Sequence, residues 1–299
     1  MATQAPLVVG IGRIGAAFST LAPNLPQPGA PAAELAALSV APANGVAVAL
    51  HAAQRLGCRA RAVGTHGADL LGQLARAALR DAGVDTEMLR PCGTSPCEVV
   101  TVAGDGAMRA RYGGDPGDTG PFDPMTALDG AAALLVDATE PTLGVAASDI
   151  ARGRKLPVIL DLGELRDGAS ELIGSSDIFI ASERVAGELA PRGELVDALS
   201  ELLRLGPRAV VITLGAKGAI GRHGDQVIRC PAFDAEVLDS YGAGSVFHGA
   251  FAAALLSELP FARCIELAAA AASLSVRELG AWHATWSRDD VLAVVKTRR

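Results

Sequence analysis

Short β-type runs alternate with stretches of helical length through most of this chain, and that alternation constrains the fold more than any other feature. Strand, helix and strand repeated in one sense build a parallel sheet with helices on both faces. β-type runs stand at residues 7–9, 60–63, 132–137, 157–161, 177–181 and 208–213. Residues 44–56, 69–82, 196–205, 243–258 and 261–277 have helical length and helical apolar spacing. The expectation is an α/β fold, a doubly wound, mainly parallel sheet flanked by helices. The chain has 299 residues, 50% of them hydrophobic. That is enough to bury most of the surface exposed on unfolding, so residues 1–299 are read as one large domain.

One region breaks the alternation. Residues 97–112, CEVVTVAGDGAMRARY, hold two β-type runs joined at Asp105-Gly106, a hairpin signal with no helix beside it. Residues 23–33, PNLPQPGAPAA, are rich in Pro and Gly and leave the main sheet. Two such excursions, about residues 13–40 and 97–115, are expected to build one small β lid.

Charge narrows the partners. With 26 Lys and Arg against 33 Asp and Glu the net charge is −7, and no basic cluster stands out. Nucleic acid and anionic membranes are poor partners for such a chain, and a small molecule is the better expectation. No apolar run approaches the roughly 18 residues needed to span a bilayer. The opening MATQAPLVVGIG lacks a basic n-region and reads as a first strand, so a cytoplasmic protein is expected. Five scattered cysteines and five scattered histidines show no metal-ligand spacing, and no metal site is assigned.

The strongest chemical signal is DSYGAGSVFHGAF, residues 239–251, where Gly242, Ala243 and Gly244 directly precede a long apolar helix. Small residues there let backbone N–H groups converge on an anion, and the helix dipole favours negative charge. A second glycine-bearing turn, TLGAKGA, follows the run that ends at Thr213. The carboxyl ends of parallel strands are where α/β sheets bind ligands.

At these residues the chain resembles the ribokinase-like, or PfkB, family of carbohydrate kinases. The family's C-terminal motif D-T-x-G-A-G-D-x-F is matched by Asp239, Gly242, Ala243, Gly244 and Phe247. Thr213, Gly215 and Gly218 look like its nucleotide turn, T-x-G-x-x-G. PANGVAVALHAAQRLG from Pro42 and VGTHGADLLGQLARAALRDAGVDT from Val63 resemble its N-terminal region. The resemblance runs from Gly10 to Asp290. It implies a doubly wound sheet with a β lid over a sugar site and ATP as phosphoryl donor. It implies substrate contacts from Asn44 and from the lid residue Arg109, and raises the option of a homodimer paired through the lid.

Several positions depart from the family pattern. Ser245 stands where the family has its catalytic Asp, and a serine hydroxyl takes no proton at neutral pH without a base of its own; loss of a general base costs roughly 10² to 10⁴ in rate. Ser245 retains the option of capping the helix. His248, three residues on, is expected to project elsewhere. The family's magnesium-associated N-x-x-E run falls on Ser182, Glu183, Arg184 and Val185, so Mg²⁺ dependence is doubtful, and Glu183 is expected at the surface. The sugar-contacting Asp of relatives falls at about Ala17, and their hinge glycine pair at Ser39 and Val40. These losses imply a nucleotide-binding, pseudokinase-like protein with weak or lost sugar phosphorylation. Two alternatives stay open: an active kinase with a replacement base among Asp105, Asp137, Glu140 and Asp161, or a serine introduced at position 245 to inactivate the protein. Asp161, followed by Gly163 and Arg166, is read as a sheet-end hydrogen-bonding group. Trp282 and Trp286 are read as closing a core.

Overall fold

The computed structural model describes residues 4–25, 29, 31–32, 34–43, 45–104, 106–118, 120 and 122–298. Asn44 and Asp105 lie outside the described residues. The N-terminal half runs β1 (Leu7–Leu21), β2 (Ala37–Ala43), α1 (Gly45–Arg55), β3 (Arg59–His66), α2 (Leu70–Asp81), β4 (Asp85–Pro91), β5 (Cys97–Ala103) and β6 (Gly106–Tyr112). It continues through α3 (Pro124–Ala127), β7 (Ala131–Asp137), α4 (Pro141–Gly153), β8 (Val158–Leu162), α5 (Ala169–Ser175), β9 (Ile178–Ser182), α6 (Glu183–Leu189) and α7 (Leu195–Leu203). The remainder is β10 (Ala209–Thr213), β11 (Ala219–His223), β12 (Gln226–Cys230), α8 (Ala243–Leu256), α9 (Phe261–Ser275) and α10 (Arg288–Lys296).

The main sheet has the order β12-β11-β10-β9-β8-β7-β1-β3-β4. Every pairing from β10 through β4 is parallel, and β11 and β12 extend the β10 edge antiparallel. Strand residues alternate between two cores, because successive side chains point to opposite faces. Val8, Leu135, Ile159 and Val211 pack with α1, α8 and α9, whereas Val9, Leu134, Leu160 and Val210 pack with α4, α5 and α7. Both faces are covered, as a parallel sheet requires.

β1 links the sheet to the lid. Residues 7–14 pair in parallel with β3, residues 15–21 pair antiparallel with β2, and residues 16–21 pair in parallel with β5. The strand is 15 residues long, far beyond the run at 7–9 read from the sequence. Its GIGRIGAA stretch carries a weak strand signal, and pairing on both sides decides its conformation. Gly12 is needed within it, since a Cβ there would lie 2.7 Å from Asp137 Oδ1. Arg13, buried in the same strand, donates through Nη2 to the carbonyls of Thr94 and Asp115 and so pins the lid's flanks. β5 and β6 form the expected hairpin, with Ala103 paired to Gly106, and the Asp105 half of the Asp105-Gly106 signal lies outside the described residues.

Candidate active site

The C-terminal ends of β7, β8, β9 and β10, the first turns of α1 and α8, and the lid strand β6 enclose one cavity of about 650 Å³. Its roof is lid, its floor is strand ends, and one wall is the first turn of α8.

The α8 turn is held by backbone geometry. Asp239, 3% exposed, accepts Tyr241 N at 2.8 Å on Oδ1 and Gly280 N at 2.9 Å on Oδ2, so this residue of the motif fastens the turn to the loop after α9. Gly242 has φ +84°, and a Cβ on it would lie 2.8 Å from Ala281 Cβ, which makes glycine the fitting residue twice over. Gly242, Gly244 and Ser245 line the cavity. The first N–H groups of a helix have no intrahelical acceptor, so this wall presents donors and the positive end of a dipole. The N-cap is Gly242, without a side-chain cap, so Ser245 does not cap α8. It is the third residue of the helix and lines the cavity.

The floor is acidic. Asp137 is 5% exposed; its Oδ1 accepts the N–H and hydroxyl of Thr139 and its Oδ2 accepts Val46 N at 3.3 Å. Burial pushes its carboxyl up to about 6, the neighbouring Asp161 charge acts in the same direction, and the Thr139 and Val46 bonds oppose them. Asp161 is 7% exposed, and its Oδ1 lies 3.1 Å from His248 Nε2. Burial raises its pKa too, and the histidine opposes the shift. The expectation that His248 projects elsewhere is therefore corrected: it lines the cavity, because α8 is buried nearly all round and its Asp161-facing side is the cavity side. A Cβ on Gly45 would lie 2.7 Å from Asp161 Oδ2 and 3.5 Å from Asp137 Oδ2, so both carboxylates converge on the start of α1.

Arginines rim the opening. Arg109, on β6, contacts Glu98 at 3.3 Å and stacks over Tyr241 at 5.0 Å, which brings lid and α8 turn together. Arg111 and Arg166 both contact the carboxylate of Glu164. Arg184 donates to the carbonyl of Gly163 at 3.1 Å and pairs with Glu188 at 2.8 Å.

The remaining sequence candidates separate cleanly. Thr213 lines the cavity, its hydroxyl donating to Ala181 O at 3.3 Å. Gly215, Gly218 and Ala243 are not among the lining residues. Gly218 has a packing reason, since a Cβ there would lie 2.0 Å from the Cys230 carbonyl. Glu140 bonds the Thr65 hydroxyl outside the cavity lining. At the magnesium-associated run, Ser182 spends its hydroxyl accepting Val185 N at 3.2 Å, Val185 is fully buried, and Glu183 pairs with Lys217 at 3.2 Å on the surface. A buried aliphatic side chain offers nothing to a metal-bound water, so these residues do not fit a divalent cation. Among the described residues no three His, Cys, Asp or Glu side chains are grouped to hold a metal, and no helix is long and apolar enough to cross a membrane. Trp282 and Trp286 belong to the α8–α9 core, where Trp282 stacks on His51 at 4.3 Å.

A doubly wound sheet, a β lid and a glycine-framed helix start over the strand ends define a sugar-kinase type of architecture. The pattern for "pfkB family carbohydrate kinase" matches residues 42–288, and the chain belongs to that family. Ribokinase of Haemophilus influenzae is 28% identical over 259 residues, covering 81% of this chain and 83% of that protein. Ribokinase of Lactococcus lactis is 36% identical over 111 residues, a match that spans only 36% of that protein and 37% of this chain. The structure of Arabidopsis thaliana ribokinase complexed with ribose and ATP superposes with a TM-score of 0.85 at 26% identity, covering 98% of this chain and 99% of that one.

Proposed function

We propose that this chain binds an adenine nucleotide along Thr213 and the first turn of α8, holds a sugar-like ligand beneath the lid, and transfers phosphate to ordinary sugars slowly or not at all. The observation that carries the reading is the contrast at residues 242–245. The start of α8 keeps Gly242 left-handed and Asp239 bonded through both oxygens, while the side chain at the base position is the hydroxyl of Ser245. Arabidopsis ribokinase, with the same fold, holds ribose and ATP, which supports both ligand classes here. Backbone amides bind phosphates without a side-chain base, so affinity survives where proton transfer does not. The poor fit at Ser182 and Val185 makes nucleotide binding only weakly dependent on Mg²⁺.

Thermal-shift titrations with ATP and ADP, with and without Mg²⁺, test the binding. Stabilisation follows RT ln(1 + [L]/Kd), so Kd values in the millimolar range register. No shift at millimolar nucleotide removes the reading. A coupled assay against ribose, fructose and their phosphates tests the slow transfer, and turnover near the roughly 10 per second typical of enzymes contradicts it.

A further inference from the structure

The cavity floor holds an acid that Ser245 does not replace. His248 is 4% exposed, and its Nδ1 lies 2.6 Å from the carbonyl of Gly244. A carbonyl only accepts, so Nδ1 donates there and the ring is fixed. Nε2 then faces Asp161 Oδ1 and the carbonyl of Ile180, each at 3.1 Å.

The other oxygen of Asp161 is different. Oδ2 has no hydrogen bond to any described residue, and the point 2.7 Å from it where a Cβ would sit is empty because residue 45 is glycine. Asp137 differs, since both of its oxygens already accept, Oδ1 from Thr139 and Oδ2 from Val46 N. His248 follows Ser245 by three positions on α8, about one helical turn, so Asp161 approaches from the strand side the volume that Ser245 borders from the helix side.

We propose that Asp161, held by His248, is the proton acceptor for the phosphoryl transfer that remains in this chain. The inference rests on the nucleotide-binding reading above. The acceptor hydroxyl gives its proton to Asp161 Oδ2, and the freed electron pair forms the oxygen–phosphorus bond to the γ-phosphoryl group. The bond from that phosphorus to the β–γ bridging oxygen breaks, and ADP leaves with its electron pair. Asp161 is the catalytic residue, and His248 is a positioning residue that keeps one carboxylate oxygen engaged and the other turned to the acceptor.

Hydrolysis of ATP, with water as acceptor, tests this without knowledge of the sugar. Asp161→Asn keeps the size and shape of the side chain beside His248 Nε2 and removes the base. It is expected to lower ADP release by about 10²-fold while the thermal shift with ADP stays as in the unmodified protein. Adding Ser245→Asp to Asp161→Asn is expected to restore ADP release, a recovery that a merely structural Asp161–His248 pair does not produce. Gly45→Ala is the second variant, read also if Asp161→Asn does not fold. It places a methyl group 2.7 Å from Oδ2, close enough to displace that oxygen while both Asp161 and His248 are retained, and is expected to lower ADP release at least about tenfold. ADP release from either folded variant within about twofold of the unmodified protein overturns the proposal. So does an unmodified protein that binds ADP yet hydrolyses no ATP. Failure of the unmodified protein to bind nucleotide is a different result, and it removes the reading under Proposed function.

Discussion

The first turn of α8 and the strand ends beneath it border the same cavity, yet they are built by different means. The turn is a backbone device: Gly242 accepts a positive φ, Asp239 ties the loop, and Gly244 and Ser245 present the helix start. The floor is a side-chain device, in which Asp137, Asp161 and His248 are buried and held by contacts among α1, β7, β8, β9 and α8. A backbone device tolerates a change of side chain such as Ser245, because its donors belong to the main chain. A side-chain device does not, because removing one partner leaves a buried charge or donor unpaired.

The largest effect is expected where both devices share one support. Gly249 packs α8 onto α1, and a Cβ there would lie 1.9 Å from the Ala49 carbonyl. Gly249→Ala must push two helices apart, and denaturant unfolding should show a loss of about 3 kcal/mol or more. Little loss would mean that the two walls move independently, and the comparison would fail.

Asp137 comes next, through pH. Its folded pKa, about 6, lies above the ordinary carboxyl value, so the fold holds this proton more tightly than the unfolded chain does. The stability it confers is present below the unfolded value and is lost as pH rises through about 6. The loss is on the order of 3 kcal/mol for a shift of this size. Asp137→Asn should therefore flatten the fall in melting temperature between about pH 4 and about pH 7, and an unchanged slope would show the floor to be less tightly coupled than described.

Ser245→Asp should do less. It returns a carboxylate to the cavity wall, but Ala17, Ser39 and Val40 do not provide the sugar contacts that the family resemblance associates with those positions, and a base acts only on a hydroxyl already held within about 3 Å. Against a sugar panel the gain is expected to stay below roughly 10²-fold. A larger rescue would show that only the turn, and not the sugar side, has changed.

The smallest effect belongs to the rim. Arg109 is largely exposed and joins lid to turn through Tyr241 and Glu98. Exposed contacts of this kind are worth about 1 kcal/mol or less, so Arg109→Ala should weaken nucleotide binding by no more than about fivefold in titration calorimetry. A larger loss would place the lid among the principal nucleotide contacts.

Local signals made much of this molecule readable from its sequence. Apolar spacing located α1, α2, α8 and α9 to within a residue or two at nearly every end, and Asp69 marks the start of α2 by accepting Gly72 N at 2.9 Å. The helix α4, the edge strand β4 and the antiparallel pair β11–β12 lie outside the elements that the sequence reading locates. His248 had one legible signal: a histidine inside the apolar run GSVFHGAFAAALL has to find hydrogen-bond partners when that helix is buried. The identity of those partners was not legible, since Asp161 lies 87 positions away in sequence.

The sequence by itself determined the α/β alternation, the glycine-framed start of α8, the hairpin of the lid and the absence of a carboxylate at position 245, because each depends on residues close together in the chain. Tertiary structure decided the rest. The continuation of β1 into the lid depends on strands that flank it from distant segments, and the pairing of Asp161 with His248 depends on how far β8 and α8 overlap. The burial that lifts Asp137 to about 6 exists only once α1, β1 and β7 have closed around it, for desolvation belongs to the packed environment and not to the residue.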